Sequence, residues 1–397
     1  MTSSEGAVDA GYIMTTYREP PVTFVRGEGC RLMDTSGRWC LDFLSGLGVC
    51  SLGHAHPRVA RAVSDQASQL VHVSNLFGNA VAPGLAATLD RLIGGGEQQA
   101  GGKLFFANSG AEANECAIKL ARRWGASERH VVLSAHGSFH GRTLATLAAT
   151  GQPGKHEGFQ PLPEGFVHVS FDDLEALDAA MDPEVVVAVL LEPVQGEGGV
   201  IPASRGYLAA VRQLCDERGV LMMVDEVQTG LARTGEWFGF QHDAVLPDVV
   251  TMAKALGNGF PIGACWARSE VAEAFRPGDH ASTFGGQPVA ARAARETLAV
   301  MEEIRAPERA AAAGALLREG LSKLPHVREV RGEGLLLAAA LDESCAAKVA
   351  SAALGRGLVV NAVTDAAVRL APPLVVSEAE IDEALALLAR SIDEALE

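Results

Sequence analysis

Short apolar runs alternate with longer amphipathic stretches through the middle of the chain. The apolar runs predict strands at residues 104–107, 131–134, 185–191, 221–224 and 249–252. Runs such as VVVAVLL and LMMV lack polar alternation, which is typical of strands buried on both faces of a mainly parallel sheet. Helices are predicted at 111–124, 206–217 and 288–303. This alternation predicts an α/β fold with helices on both faces of a central sheet.

The pattern changes after about residue 305. It predicts a helix, strands at 335–341 and 358–360, and a final helix from Ser377, which forms a capping-box pattern with Glu380. The early segment VTFVRGEGCRLMDTSGRWCLDFL predicts strands and turns outside the main sheet. We therefore expect a large α/β domain at 58–290 and a smaller α+β domain built from 1–57 together with 291–397.

The composition narrows the choice of partners. A net charge of −16 repels phosphate backbones and anionic lipid, so neither nucleic acid nor a membrane is expected as a partner. No apolar run approaches a bilayer span, and the opening MTSSEGAVDA has no apolar signal core, which predicts a cytoplasmic location. The seven cysteines are scattered without a C-x-x-C pair, which favours reduced thiols and no metal site. An anionic ligand therefore needs a local cluster of donors.

A candidate anion site follows the first predicted strand. In FFANSGAEANECAIKLAR the strand ends at Ala107, and a turn at Ser109, Gly110 and Ala111 leads directly into a helix. The free amides of a helix start, together with a serine hydroxyl, can hold a phosphate. An ordinary strand-to-helix turn with Ser109 as the N-cap explains the same residues.

Two further motifs follow predicted strands. In SFHGRT, Phe139 can stack on a flat heteroaromatic ring and Arg142 offers a planar fork to a carboxylate, although a surface loop has the same composition. In LMMVDEVQTG, an apolar strand carries Asp225 and Glu226 to its carboxyl end, where a buried carboxylate needs a cation. An ATPase with Asp225 near Mg²⁺ is an alternative, but the chain has no G-x-x-x-x-G-K-[ST] phosphate loop.

The segment MAKALGNGFPIGA places Lys254 just after a predicted strand and before a glycine-rich loop. The glycine spacing does not fit the dinucleotide fingerprint, so NAD binding is rejected. A lysine in an apolar pocket is a candidate for a lowered pKa and Schiff-base chemistry. A solvated surface lysine is the simpler explanation for this residue taken alone.

Taken in order, the motifs SGAEANE, SFHGRT, EPVQGEGG, VDEVQTG, AKALGNGFPIGA, STFGGQP and RLAPP resemble the class III pyridoxal-phosphate-dependent aminotransferases of fold type I. Within that family the group acting on acetylated ornithine is the most similar. The resemblance runs from about Tyr17 to the final helix. It implies a mainly parallel sheet of the seven-stranded type, a smaller α+β domain, and a homodimer with active sites at the subunit interface.

The resemblance also implies roles for cofactor-binding residues. Lys254 is expected to form the Schiff base with the cofactor and to move the substrate proton. Asp225 is expected to pair with the pyridine nitrogen, Phe139 to stack on the ring, and Gln228 to reach the phenolic oxygen. The phosphate is expected to be held by Ser109, Gly110 and Ala111, and by Thr283 of the neighbouring subunit.

The resemblance implies a substrate site as well. Arg142 is expected to hold a carboxylate of either substrate, and Arg369 the α-carboxylate of glutamate or 2-oxoglutarate. Glu197 is expected to pair with Arg369 while an ω-amino substrate is bound and to release it when 2-oxoglutarate enters. Leu47 stands where ornithine aminotransferases tend to have tyrosine, and an apolar residue there suits an acylated nitrogen.

The implied reaction converts N-acetyl-L-ornithine and 2-oxoglutarate into N-acetyl-L-glutamate 5-semialdehyde and L-glutamate, a step of arginine biosynthesis. Succinylornithine, ornithine, 4-aminobutyrate and a carrier-linked lysine are alternative amine substrates, because Cys50, Gly78 and Ala232 depart from the usual family residues. A racemase or aminomutase on the same fold is a rival hypothesis. A non-enzymatic protein is disfavoured because Lys254 and Asp225 are both present.

Overall fold

A seven-stranded sheet forms the centre of the molecule in the structure, a computed structural model that describes residues 12–126 and 128–397. Its strands, in spatial order, are Gly102–Ala107, Gly263–Arg268, Val249–Met252, Leu221–Asp225, Val186–Leu191, Val131–Ala135 and Phe166–Val169. Only Gly263–Arg268 runs antiparallel to both of its neighbours. The predicted α/β fold with a mainly parallel central sheet is confirmed.

Helices cover both faces of this sheet. The α-helices of the described chain include Pro57–Gln69, Ala82–Ile93, Gly110–Trp124, Leu144–Ala149, Leu174–Ala180, Tyr207–Arg218, Pro288–Glu303, Ala306–Ser322, Ala346–Gly355 and Glu378–Leu396. The Gly110–Trp124 helix packs on the sheet with a buried face that includes Ala113, Ala117 and Ala121. These residues are four apart, so they share one side of the helix and allow close approach to the strands. Within the described residues, no helix has both the length and the apolarity to cross a bilayer.

Two four-stranded sheets and the two-stranded pair Val194–Gln195 and Ile201–Pro202 lie outside the central sheet. The first contains Phe24–Glu28, Arg31–Asp34, Trp39–Asp42 and Leu358–Val359, the last parallel to Trp39–Asp42. The second contains Val327–Glu333, Leu336–Leu341, Ala367–Leu370 and Asn361–Thr364. The final helix begins after Ser377, whose hydroxyl accepts a hydrogen bond from the Glu380 amide at 3.3 Å. Residues 1–11, which include the predicted polar start, lie outside the described residues.

Arg233 connects the central region to segments from both ends of the chain. Its Nη1 donates to the carbonyls of Leu335 and Pro372 at 3.0 and 2.6 Å, and its Nη2 donates to the Ser51 hydroxyl at 3.2 Å. Burial lowers the pKa of this guanidinium to about 10. Neutral oxygens therefore accept from both Nη atoms of a buried cation, and this fixes the segments around Ser51, Leu335 and Pro372 relative to one another.

An Asp42–His54 pair supports the chain segment that leads from the first small sheet to the central region. Asp42 Oδ1 accepts from the amides of Leu44 and Ser45 at 2.9 and 2.8 Å, and Oδ2 lies 2.7 Å from His54 Nε2. The hydrogen bond to Asp42, followed by one to Cys50, raises the pKa of His54 from 6.5 to about 9. The folded protein therefore holds a proton on His54 at neutral pH.

The raised pKa of His54 makes the stability of this pair depend on pH. The contribution of the charged imidazole is complete below pH 6.5 and is lost as the pH rises through about 9. We expect His54→Asn to lower the free energy of unfolding by about 2 kcal/mol at pH 6 and by less than about 1 kcal/mol at pH 10. Urea denaturation at both pH values tests this, with the exposed His326→Asn as a control. Equal losses at the two pH values would contradict the expectation.

Candidate functional site

A cavity of about 390 Å³ opens where the parallel strands of the central sheet end. This is the edge at which sheets of this type bind ligands. Five strands of the central sheet are each followed or ended by one residue that lines the cavity and was singled out by its chemistry. These residues are Ser109, Phe139, Glu192, Asp225 and Lys254. The cavity falls within the usual size range of small-molecule sites.

Asp225 is a buried carboxylate, 4% exposed, at the end of the Leu221–Asp225 strand. Its Oδ2 accepts from Asn114 Nδ2 at 2.7 Å and lies 2.8 Å from His140 Nδ1. Its Oδ1 accepts from the Val227 amide at 3.0 Å. These donors hold the carboxylate in one orientation, facing the cavity that it helps to line.

Asn114 and His140 hold Asp225 in place, and neither was predicted from the sequence as a site residue. Asn114 also donates to the His140 carbonyl at 2.8 Å and accepts from Thr251 Oγ1 at 2.6 Å. Burial opposes the charged form of His140, but the hydrogen bond and charge of Asp225 outweigh it and raise the pKa of the imidazole. Asn114 lies in the SGAEANE motif and His140 in the SFHGRT motif, and these positions were the sequence features that could have identified them as site residues.

Glu192 is a second buried acid beside Asp225. Its Oε2 accepts from the Phe139 amide at 3.0 Å, which fixes the start of the loop that carries Phe139. Burial raises the pKa of this carboxyl, and the nearby charge of His140 opposes the rise. Glu192 belongs to the EPVQGEGGV segment, but the sequence analysis assigned no role to it. In the structure, it supports the aromatic wall of the cavity.

Lys254 follows the Val249–Met252 strand and has a positive φ of 38°. Non-glycine residues seldom adopt this conformation, and such strain is common at functional sites. Burial lowers the pKa of Lys254, and the negative charge of Glu197 partly offsets the effect. A larger fraction of neutral amine is therefore available at neutral pH than for an exposed lysine.

The start of the Gly110–Trp124 helix forms another wall of the cavity. Ser109 is its N-cap, and the Ser109 hydroxyl accepts from the Glu112 amide at 3.2 Å. A Cβ at Gly110 would collide with the Val227 side chain, so glycine is required where this turn meets the next loop. Gly110 and Ala111 both line the cavity, and the first amides of a helix attract anions.

Arg369 and Glu197 form an ion pair beside the cavity. Arg369 is 1% exposed, and its Nη1 donates to Glu197 Oε1 at 2.6 Å, while its Nε donates to Asn361 Oδ1 at 3.1 Å. Its Nη1 also lies 3.4 Å from Gln228 Oε1. Burial opposes ionisation of Glu197, but the charge and hydrogen bond of Arg369 outweigh it, so the pKa of this carboxyl is lowered. Glu197 therefore neutralises a buried guanidinium.

Three predicted site residues do not line this cavity, and one of them, Arg369, lies in the ion pair beside it. Leu47 is 40% exposed, although its near neighbour Val49 is a lining residue. Thr283 is exposed on the loop where the Ser282 hydroxyl accepts from Asn108 Nδ2 at 3.1 Å. The expected role of Thr283 lies in the site of a second subunit, so its exposure on one chain leaves that prediction untested. The remaining predicted residues converge on the cavity or on the Arg369–Glu197 pair next to it.

One family model matches almost the whole chain. The aminotransferase class-III family model matches residues 12–392. The chain therefore belongs to the class III aminotransferase family, and it is a pyridoxal-phosphate-dependent transaminase. This confirms the resemblance seen in the ordered motifs and the predicted cofactor.

Individual relatives cover nearly the whole chain. The acetylornithine aminotransferase of Caldanaerobacter subterraneus subsp. tengcongensis is 47% identical over 388 residues, which cover 95% of this chain and 96% of the relative. That of Corynebacterium efficiens is 47% identical over 391 residues, covering 96% and 95%. The crystal structure of N-acetylornithine aminotransferase from Stenotrophomonas maltophilia has a TM-score of 0.83 at 36% identity and covers 98% of each chain. The ornithine aminotransferase from Toxoplasma gondii has a TM-score of 0.92 at 33% identity, covering 98% and 94%.

Proposed function

We propose that the protein transfers the ω-amino group of N-acetyl-L-ornithine to 2-oxoglutarate, giving N-acetyl-L-glutamate 5-semialdehyde and L-glutamate in arginine biosynthesis. The names of the relatives support the amine substrate. The structural observation that best supports this proposal is the Arg369–Glu197 ion pair. If this pair opens for one substrate and stays closed for the other, one cavity can accept two substrates with different charge patterns.

The residues around the cavity fit pyridoxal 5′-phosphate by their chemistry. Bound there, this cofactor supplies an electron-withdrawing ring that stabilises negative charge at the reacting carbon. The helix start at Ser109, Gly110 and Ala111 suits its phosphate, and the fixed carboxylate of Asp225 suits its ring nitrogen. Phe139 offers an aromatic face, and we expect Gln228 to reach the phenolic oxygen.

Lys254 is proposed to hold the cofactor and to move a proton during the reaction. Its lowered pKa supports the second role, since a neutral amine can accept a proton at Nζ from the substrate carbon and return it. Glu197 and Asp225 both favour the protonated form, which keeps the amine able to donate as well. A single residue thus serves as base and acid.

The charged groups outside the cofactor site are proposed to bind the substrates. Arg142 lines the cavity and holds a substrate carboxylate. With acetylornithine bound, Glu197 remains paired with Arg369 and neutralises the positive charge of the guanidinium. With 2-oxoglutarate, the pair opens and Arg369 binds the α-carboxylate. Leu47 is proposed to favour an acylated nitrogen over an ammonium group.

We propose a homodimer in which Thr283 contributes to the cofactor phosphate site of the partner. Large apolar side chains are exposed in the same region as Thr283. Phe284 is 59% exposed, and its ring lies 5.2 Å from that of His72. Leu76 and Phe77 are 87% and 71% exposed. Exposed apolar surface of this kind is typical of subunit interfaces.

Domain division and location are further parts of the proposal. We propose that residues 58–290 act as the cofactor domain and that residues 1–57 and 291–397 form the smaller one. The pairing of Leu358–Val359 with Trp39–Asp42 in the described chain supports this division. We expect the reaction to take place in the cytoplasm, which cell fractionation would test.

Half-reactions test the substrate assignment. We expect acetylornithine to change the visible absorbance of the holoenzyme faster than ornithine, succinylornithine, 4-aminobutyrate or glutamate does, and 2-oxoglutarate to restore it. A faster reaction with another amine would replace acetylornithine as the substrate but leave the transaminase class intact. Spectral change without any requirement for a keto acid to complete turnover would favour a racemase or aminomutase.

A further inference from the structure

Two loops beside the cavity, one containing Gly137 and Ser138 and the other containing Gly151 and Gln152, are joined by several hydrogen bonds. The Gly137 amide donates to the Gly151 carbonyl at 2.8 Å, and the Gly151 amide donates to the Ser138 hydroxyl at 3.0 Å. The Gln152 side chain donates to the carbonyls of Gly137 and Ser138 at 3.2 and 3.0 Å. These bonds fix the short 3-10 helix Pro153–Lys155 against the loop that contains Gly137 and Ser138.

This arrangement brings two positive side chains to one aromatic ring. Lys155 Nζ lies 5.7 Å from the centroid of the Phe139 ring, and Arg142 Cζ lies 5.6 Å from the same centroid. Both distances are within the range of cation–π attraction. Phe139 and Arg142 line the cavity, and Lys155 is half-buried beside them. The wall of the cavity at Phe139 is therefore positively charged.

The ion pairs formed within the described ranges 12–126 and 128–397 do not include Lys155 or Arg142. Two like charges at one ring repel each other, and an anion bound near both would remove that cost. Glu197 lies close enough for the charge of Lys155 to lower its pKa, but its carboxylate is bonded to Arg369. In a chain of net charge −16, this local positive potential favours an anionic ligand.

We propose that Lys155 acts with Arg142 to bind the substrate carboxylate that lies farthest from the reacting carbon. The proposal rests on the function proposed above and adds a residue that determines specificity. In N-acetylornithine the α-carboxylate is remote from the ω-carbon. In 2-oxoglutarate the second carboxylate is remote from the keto carbon. Both substrates thus present an anion to the same cations, and amines without a carboxylate do not.

Glutarate, a dicarboxylate that cannot react, measures this site without depending on the amine substrate. We expect Lys155→Met to weaken glutarate binding to the holoenzyme about tenfold in calorimetry at low salt, and Lys155→Arg to restore most of it. We expect KM to rise similarly for acetylornithine and 2-oxoglutarate with little change in kcat. Lys103→Met is the matched control, because Lys103 is exposed and pairs with Glu273 at 3.2 Å. It should leave binding unchanged.

Three results would overturn the proposal. Unchanged glutarate affinity in Lys155→Met would show that the charge does not contact the carboxylate. A rise in KM for 2-oxoglutarate alone would mean that Lys155 acts through Glu197 instead. An equal loss in Lys155→Arg would mean that the site needs the shape of the lysine rather than its charge. Failure of acetylornithine as a substrate would remove the proposed function but leave the glutarate measurement interpretable.

Discussion

Replacing Lys254 with alanine should reduce transamination by at least about a thousandfold, since the variant loses the amine proposed to hold the cofactor and to transfer the proton. Among the described residues that line the cavity, Lys254 is the only lysine, and Lys155 lies beside the Phe139 ring without lining the cavity. We expect the fold to persist, because removal of a buried amine whose pKa is lowered by burial relieves a desolvation cost. Steady-state assays with acetylornithine and 2-oxoglutarate measure the loss.

A matched control separates chemistry from stability in this experiment. Lys103→Ala removes an exposed lysine that pairs only with Glu273, so activity and melting temperature should both stay close to those of the parent protein. Circular dichroism and size-exclusion chromatography should show Lys254→Ala folded and in the same assembly as the parent. Turnover of Lys254→Ala above about a tenth of the parent rate would mean that another group moves the proton.

Replacing Glu197 with glutamine should shift the preference between the two amino donors by about ten- to a hundredfold towards glutamate, equivalent to about 1.4–2.8 kcal/mol. On the proposed mechanism, glutamate opens the 2.6 Å pair between Arg369 and Glu197 in the parent protein before its α-carboxylate binds. The variant leaves Arg369, which is 1% exposed, without a carboxylate partner. An incoming carboxylate would then meet a buried cation that is already available.

The same change should weaken catalysis with acetylornithine. An uncompensated guanidinium beside the cavity disfavours a substrate that brings no carboxylate to that position. The ratio of kcat/KM for acetylornithine to that for glutamate is the quantity to compare. Glu319→Gln is the control, because Glu319 forms an exposed 2.6 Å pair with Lys323. An unchanged ratio in Glu197→Gln would remove the switch from the mechanism.

The two variants report on different parts of the site. Lys254 is proposed to act at the reacting carbon, so its loss should affect every substrate alike. Glu197 is proposed to control a carboxylate contact that one class of substrate makes, so its loss should change relative rates. Lys155 is proposed to affect both substrates through binding alone. Together the three variants would separate proton transfer, substrate selection and carboxylate binding.

Local sequence determined most of the elements that surround the site. The Val249–Met252 strand and the Pro288–Glu303 helix have the predicted bounds, since apolar runs and helical periodicity depend on residues close in the chain. Ser377 caps the final helix as its pattern predicts. The motif series also indicated the family and its cofactor, and five of the seven motifs lie at the ends of parallel strands of the central sheet, where those ends meet.

Only the tertiary structure decided the contacts between distant segments. Gly263–Arg268 enters the sheet antiparallel beside Gly102–Ala107, which no local pattern specifies. Arg369 and Glu197 are 172 residues apart, and their contact depends on how the second small sheet lies against the cavity. The position of Lys155 at Phe139 likewise follows from hydrogen bonds between two loops. The sequence by itself specifies which chemical groups are available, whereas long-range packing decides which of them meet, because those distances depend on the whole fold rather than on neighbouring residues.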